Sequence, residues 1–202
     1  MNSQFGVGTK PLSFIVAGFS IAAAGLVVFL TVNGGASVSG AGFFALAGLI
    51  TVGLLLPAGA MLWLGRIVDP IRRNARRGFV LLGLGMVGLF FGLLPVVAIN
   101  SLSAYFVGSA ILTVSGASAL AGTALLGTSI SGAGVRRTWD ARLLLLAIVL
   151  IFTGVGLIVG SDIAHEYWIT DLTNTVYVDV GATISACGAV VAANAFFTLR
   201  SG

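Results

Sequence analysis

The side chains best suited to chemistry lie in one polar segment, residues 161–175. It holds Asp162, His165, Glu166 and Asp171, the carboxylates and imidazole that bind zinc or exchange protons near neutral pH. A metal site needs three or four converging ligands, and no HExxH or related spacing occurs. His165 and Glu166 are neighbours and would point about 100° apart on a helix. We therefore predict an amphipathic segment at the membrane surface, with metal binding or pH sensing as the alternative.

A second set of polar residues lies within strongly apolar stretches of the chain. Hydroxyl groups there can donate to carbonyl oxygens of their own helix, which predicts ordinary packing. The alternative is a narrow polar path between the fourth and sixth segments, with Pro57 and Pro95 interrupting two other helices. The residues that would line this path are Ser115, Ser118, Thr123, Thr183 and Asn194.

Small residues are the strongest local pattern, because the chain contains 29 glycines, mostly within apolar stretches. In lipid, small residues let two helix backbones approach, so that dispersion contacts accumulate. The pattern predicts packing within one bundle or, alternatively, a face that docks onto another subunit. The candidates are two GxxxG pairs and one face of the last segment: Gly88, Gly92, Gly156, Gly160, Gly181, Ser185 and Gly188.

The composition identifies the solvent of these elements as lipid. Hydrophobic residues make up 58% of the 202 positions and charged residues 8%, against about 25% in soluble domains. Backbone groups in lipid must bond within their own segment, which predicts helices rather than strands. We predict an all-α membrane protein, a six-transmembrane-helix bundle in a single domain, 1–202. The helices are expected at approximately 12–32, 41–65, 78–99, 105–128, 143–160 and 176–199.

The distribution of charge predicts the orientation of this bundle. All ten basic residues lie before the first apolar segment, after the last one, or in the connections between the second and third and between the fourth and fifth. These places share one side of the membrane, and short basic loops stay cytoplasmic. We therefore expect a multi-pass protein of the cell membrane with cytoplasmic N and C termini, although cleavage of the first segment as a signal peptide is an alternative. Nucleic acid is excluded as a partner because no binding motif accompanies the charge. The basic face should attract anionic lipid headgroups through Arg72, Arg73, Arg76, Arg77, Arg136 and Arg137.

Three repeated helical hairpins are a further possibility. Gly18 and Gly25 recur as Gly85 and Gly92 at an offset of 67, and Gly116-Ala117-Ser118 resembles 181–183 at an offset of 65. This glycine placement and repeat length resemble the six-helix membrane proteins of the HdeD acid-resistance type. The resemblance implies a bundle of Gly-rich hairpins and no catalytic residue.

The absence of particular sequence patterns narrows the function classes. No ionisable residue lies in the middle of a predicted span, which argues against ion-coupled pumping. No Walker, Rossmann or catalytic-triad pattern occurs, so we expect neither enzymatic activity nor a cofactor. The single Cys187 is expected to pack as a small apolar residue. The leading hypothesis is an accessory or assembly subunit that packs with other membrane subunits or self-associates; the alternative is a passive channel or facilitator for a small solute or ion.

Overall fold

The computed structural model describes six helices and little else. It describes residues 9–33, 40–69, 71–99, 102–131, 135–167 and 171–201. All six helices are long and apolar enough to cross a membrane, which confirms the predicted all-α class and the number of candidate spans. The helices are α1 (Thr9–Asn33), α2 (Gly40–Ile67), α3 (Arg73–Ile99), α4 (Leu102–Ser131), α5 (Val135–Tyr167) and α6 (Asp171–Ser201).

Every helix extends beyond the segment that the sequence predicts. The largest differences are in α5, which begins at Val135 and continues to Tyr167, whereas the sequence predicts 143–160; α3 also begins earlier than predicted, at Arg73. Arg73, Arg76 and Arg77 therefore belong to α3 itself and not to the connection before it. Hydropathy marks only the part of a helix that lies in hydrocarbon, whereas backbone hydrogen bonding continues into the headgroup region.

The six helices form a closed ring in chain order. Each helix packs against the helix before it and the helix after it, and α6 packs against α1. Consecutive helices run antiparallel. In α1 and α2, for example, Gly18 contacts Pro57, and Gly25, further along α1, contacts Ile50, which comes earlier in α2. The start of α1, the α2–α3 corner, the start of α5 and the end of α6 therefore lie together at one end, the arginine-rich end.

Small residues seven positions apart bring α3 and α4 together. Gly78, Gly85 and Gly92 on α3 face Gly122, Ser115 and Gly108 on α4, respectively. A Cβ added to Gly78 would lie 2.8 Å from the carbonyl oxygen of Gly122, and one added to Gly85 would lie 2.8 Å from that of Ser115. A seven-residue repeat keeps one stripe facing the partner in a left-handed crossing. The two backbones are therefore nearly in contact over about four turns.

The third hairpin uses the same spacing. Gly154 faces Gly181, and Ala147 faces Gly188; a Cβ on Gly188 would lie 2.9 Å from the carbonyl oxygen of Ala147. The first hairpin differs because its α1 glycines face larger residues. In this hairpin the closest approach to a backbone atom is at Gly53 of α2, where an added Cβ would lie 2.5 Å from the amide nitrogen of Ala22.

Apolar side chains fill the interior and also cover the exterior. The phenyl rings of Phe19 and Phe196 stack at a centroid distance of 6.2 Å between α1 and α6, and both are fully buried. Outside, large side chains stay exposed, as at Val114 (71%) and Phe106 (67%). A soluble protein rarely exposes so large an apolar surface. Lipid is the solvent that suits this exterior.

Candidate functional site

The candidate metal or pH site falls largely outside the described side chains. The backbones of Asp162, His165 and Glu166 are helical, at the end of α5, and Asp171 begins α6. The side chains of these four residues lie outside the described residues, so their convergence stays a prediction. Among the residues that are described, no group of three His, Cys, Asp or Glu side chains is placed to hold a metal ion.

The GxxxG pair of α3 lies inside the bundle. A Cβ on Gly88 would overlap the hydroxyl of Ser115, and one on Gly92 would lie 2.7 Å from Cγ of Leu112. Both glycines therefore permit the close α3–α4 contact and are not available to another subunit. Leucine at either position would separate α3 from α4.

The small-residue face of α6 is also internal. Gly181 and Gly188 pack against α5, and the Ser185 hydroxyl donates to the carbonyl oxygen of Ile151 across the same interface at 3.3 Å. These three residues join the two helices of one hairpin.

The GxxxG pair of α5 points away from the bundle. Gly156 and Gly160 are exposed, and a Cβ added to either would meet no atom within 4 Å. Thr153, one turn from Gly156, is exposed as well. We call Thr153, Gly156 and Gly160 the α5 outer face. Gly48 and Gly59 on α2 are similarly open but stand three turns apart.

The structure does not assemble the proposed polar path. The two helices that would line it are separated, because α4 packs against α3 and α5 while α6 packs against α5 and α1. Thr183 and Asn194 are exposed on the outside of α6. Ser115 and Thr123 donate to carbonyl oxygens of their own helix at 2.6 and 2.8 Å. The side chain of Ser118 donates across the interface to the carbonyl oxygen of Leu81 at 2.9 Å.

Two residues depart from their expected surroundings. Cys187 is exposed on the outside of α6, whereas we expected a packing role. One carboxylate oxygen of Asp179, Oδ1, is buried without a hydrogen-bond partner among the described residues.

The side chain of Pro95 lies outside the described residues, so its predicted effect on α3 is untested.

The arginines of the basic face have different roles. Nε of Arg76 donates to the carbonyl oxygen of Gly65 at 3.0 Å and so ties α3 to the end of α2. Arg66, Arg73 and Arg77 are exposed. The side chains of Arg136 and Arg137 lie outside the described residues.

Sequence reasoning missed the buried seven-residue ladders, although the signal was present. Gly154 stands between the GxxxG candidates and Ala147, and the series 78–85–92 and 108–115–122 are visible in the sequence. A search for small residues at i and i+7 finds them, whereas the GxxxG pattern samples i and i+4.

Comparison of the chain with protein-family models, curated proteins and solved structures gives no match.

Proposed function

We propose that the protein is a non-enzymatic subunit of a membrane complex and that it binds another membrane protein through the α5 outer face. The observation that carries this proposal is the empty space outside Gly156 and Gly160. Most of the other described glycines lie against a neighbouring helix of the same chain, whereas this pair has the spacing of a docking stripe and no partner.

The low helix propensity of glycine supports the proposal. Glycine within a helix is less favourable than alanine by about 1 kcal/mol, and a lipid-facing glycine gains no packing in return. Two glycines one turn apart leave a shallow groove in which a second helix can come close enough for extensive dispersion contacts. The hydroxyl of exposed Thr153 extends the same stripe.

The facilitator hypothesis receives less support. Its hydroxyl groups bond to carbonyl oxygens, and its two helices are not neighbours. The ring interior includes the fully buried side chains of Phe79, Met61 and Met86. Solute passage would require these side chains to move apart.

We also propose that the chain consists of three related hairpins with cytoplasmic termini. Gly18, Gly85 and Gly154 each mark a close approach within their own hairpin, which supports the repeat. The repeat at an offset of 65 is not supported. Gly116 faces Phe152 of the next hairpin, whereas Gly181 faces Gly154 of its own hairpin. The cytoplasmic orientation rests on the basic residues at the arginine-rich end.

The test is native mass spectrometry of protein gently extracted from its own membrane. We expect a stoichiometric second membrane protein with the unchanged chain. Gly156→Leu combined with Gly160→Leu should reduce its recovery about tenfold, which corresponds to about 1.4 kcal/mol of binding free energy. The expected loss arises because leucine side chains would fill the groove.

The matched control is Gly48→Leu with Gly59→Leu, which makes the same change at equally open positions on α2. It should leave partner recovery unchanged, and both variants should keep the thermal stability of the unchanged protein. A lone monomer from the native membrane, or equal partner loss in both variants, would contradict the proposed docking face.

A further inference from the structure

The corner between α2 and α3 is short, and hydrogen bonds support its described residues. Asp69 supports it twice: Oδ1 accepts a hydrogen bond from the amide of Ile71, and the carbonyl oxygen accepts one from the amide of Arg72, both at 2.9 Å. The amide of Val68 donates to the carbonyl oxygen of Leu64 at 2.9 Å. These bonds hold the backbone from which the side chains of the corner extend.

One arginine of the corner is structural. The hydrogen bond from Nε of Arg76 to the carbonyl oxygen of Gly65 satisfies an acceptor near the end of α2, where carbonyl groups lack helical partners. This bond fixes the angle between the two helices. It also directs the side chain of Arg76 towards α2.

Four other arginines are exposed around the corner: Arg66 at the end of α2, Arg72 within the corner, and Arg73 and Arg77 at the start of α3. Arg73 and Arg77 are four residues apart and so lie on one face of the helix. The first turn of α3 contains no acidic residue, and Asp69 is the one carboxylate among the described residues of the corner, so the arginines outnumber it. The corner therefore concentrates positive charge, which favours an anionic ligand.

An apolar surface accompanies this charge. Ile71, at the tip of the corner, is 87% exposed, and Trp63 and Ile67 on the last turns of α2 are 45% and 43% exposed. Indole side chains favour the headgroup level of a bilayer. An isoleucine this exposed is unfavourable in water but gains free energy at the boundary between headgroups and acyl chains.

The position of the corner selects lipid over a soluble acidic partner. The candidate span of α2 ends at Ile67 and that of α3 begins at Arg73, so only five residues lie between them. The corner cannot rise far above the headgroups, and its charged and apolar side chains match the phosphate and the upper acyl chains, respectively.

We propose that the α2–α3 corner is a binding site for an anionic phospholipid. Arg66, Arg73 and Arg77 contact the headgroup phosphate, and Ile71 contacts the lipid at the base of the headgroup. This localised site goes beyond general attraction between a basic face and a membrane, and it does not depend on the proposed docking role of α5.

The test titrates phosphatidylglycerol into the full-length protein in neutral detergent and follows the rise in Tm. We expect saturable stabilisation, with no comparable response to phosphatidylcholine. Arg73→Gln combined with Arg77→Gln should raise the half-saturating lipid concentration about 25-fold, or about fivefold per arginine. This loss should shrink in 1 M salt because salt screens exposed charges. Ile71→Ser should weaken binding about threefold to tenfold at either salt concentration.

Two control variants separate binding from folding. Arg142→Gln removes an exposed arginine at the same end of the bundle, on α5, and should leave the half-saturating concentration within about twofold. Arg76→Gln should lower the Tm without lipid but leave that concentration nearly unchanged. Equal losses from Arg142→Gln and the double variant would overturn the localised site. Equal stabilisation by inorganic phosphate or phosphatidylcholine would overturn the assignment to an anionic lipid.

Discussion

At the scale of single residues, the same amino acid has opposite roles two positions apart. Gly154 faces α6, and a Cβ there would overlap the hydroxyl of Ser185, whereas Gly156 faces outward into open space. Composition cannot separate the two, because both lie in the same apolar stretch. A side chain is tolerated at a position that the helix turns away from the bundle, and it is not tolerated at one that lies against α6.

This difference predicts opposite effects of one substitution. Gly154→Leu should destabilise the folded protein by about 3 kcal/mol or more, since the new side chain must separate α5 from α6. Gly156→Leu should leave stability nearly unchanged, because its side chain extends away from the bundle. Thermal unfolding in detergent, followed by tryptophan fluorescence, measures both.

Gly154→Ala is the milder companion variant, because it adds only the Cβ. An intermediate loss of Tm is expected for it. Equal Tm values for Gly154→Leu and Gly156→Leu would show that the described α5–α6 contact is wrong.

At the scale of helices, the spacing of small residues sets how each pair packs. The ladders on α3 and α4 repeat every seven residues, so the two backbones stay close over the whole crossing. Close backbones also bring hydroxyl groups within reach of carbonyl oxygens on the neighbouring helix, as Ser118 and Ser185 show. These two hydroxyl groups thus join helices instead of lining a path.

Ser118 allows this role to be measured. Ser118→Ala should destabilise the protein by about 0.6 kcal/mol, the average for hydrogen bonds between membrane helices. Thr113→Ser is a matched control, because Thr113 is exposed and donates to Ser109 of its own helix at 2.8 Å, a bond that serine can also make. The free energy of unfolding in a denaturing detergent gives both values; a Ser118→Ala effect no larger than that of the control would count against a role in joining α3 and α4.

At the scale of the whole molecule, neighbouring helices run antiparallel around a closed ring. The start of α1 and the end of α6 therefore both lie at the arginine-rich end. An even number of spans requires this arrangement, and the contact between α1 and α6 closes the ring. The side of the membrane that this end faces is a prediction from the positive-inside rule.

Single-cysteine labelling tests that orientation in a Cys187→Ala background. Ile71→Cys and Lys10→Cys lie at the arginine-rich end and should react with an impermeant maleimide only in inverted membrane vesicles. Ser103→Cys lies at the opposite end, near the start of α4, and should react only in intact cells. The result is expected because translocating five arginines near the α2–α3 corner is unfavourable.

Labelling of Ile71→Cys from outside would reverse the predicted orientation while leaving the bundle intact. Labelling of Lys10→Cys and Ile71→Cys from different sides would contradict the antiparallel ring itself. The two outcomes therefore test separate statements.

The class, the number of helices and their approximate positions were predictable from the amino-acid sequence. These depend on apolar composition and on the need of every backbone group in lipid for a partner in its own helix, which are local properties. Charge placement likewise predicts orientation without knowledge of packing. The ends of the helices were less predictable, because hydrogen bonding continues past the apolar stretch, as in α3 and α5.

Which small residues are internal and which face outward became clear from the packing of the helices. Gly88 and Gly156 have the same GxxxG pattern, yet Gly88 meets Ser115 and Gly156 meets nothing. The difference depends on the rotation of each helix about its axis and on which helices are neighbours. In a chain whose helices are apolar on every face, hydropathy carries almost no information about that rotation, so it is fixed by the fit of backbones at Gly78, Gly85 and Gly154.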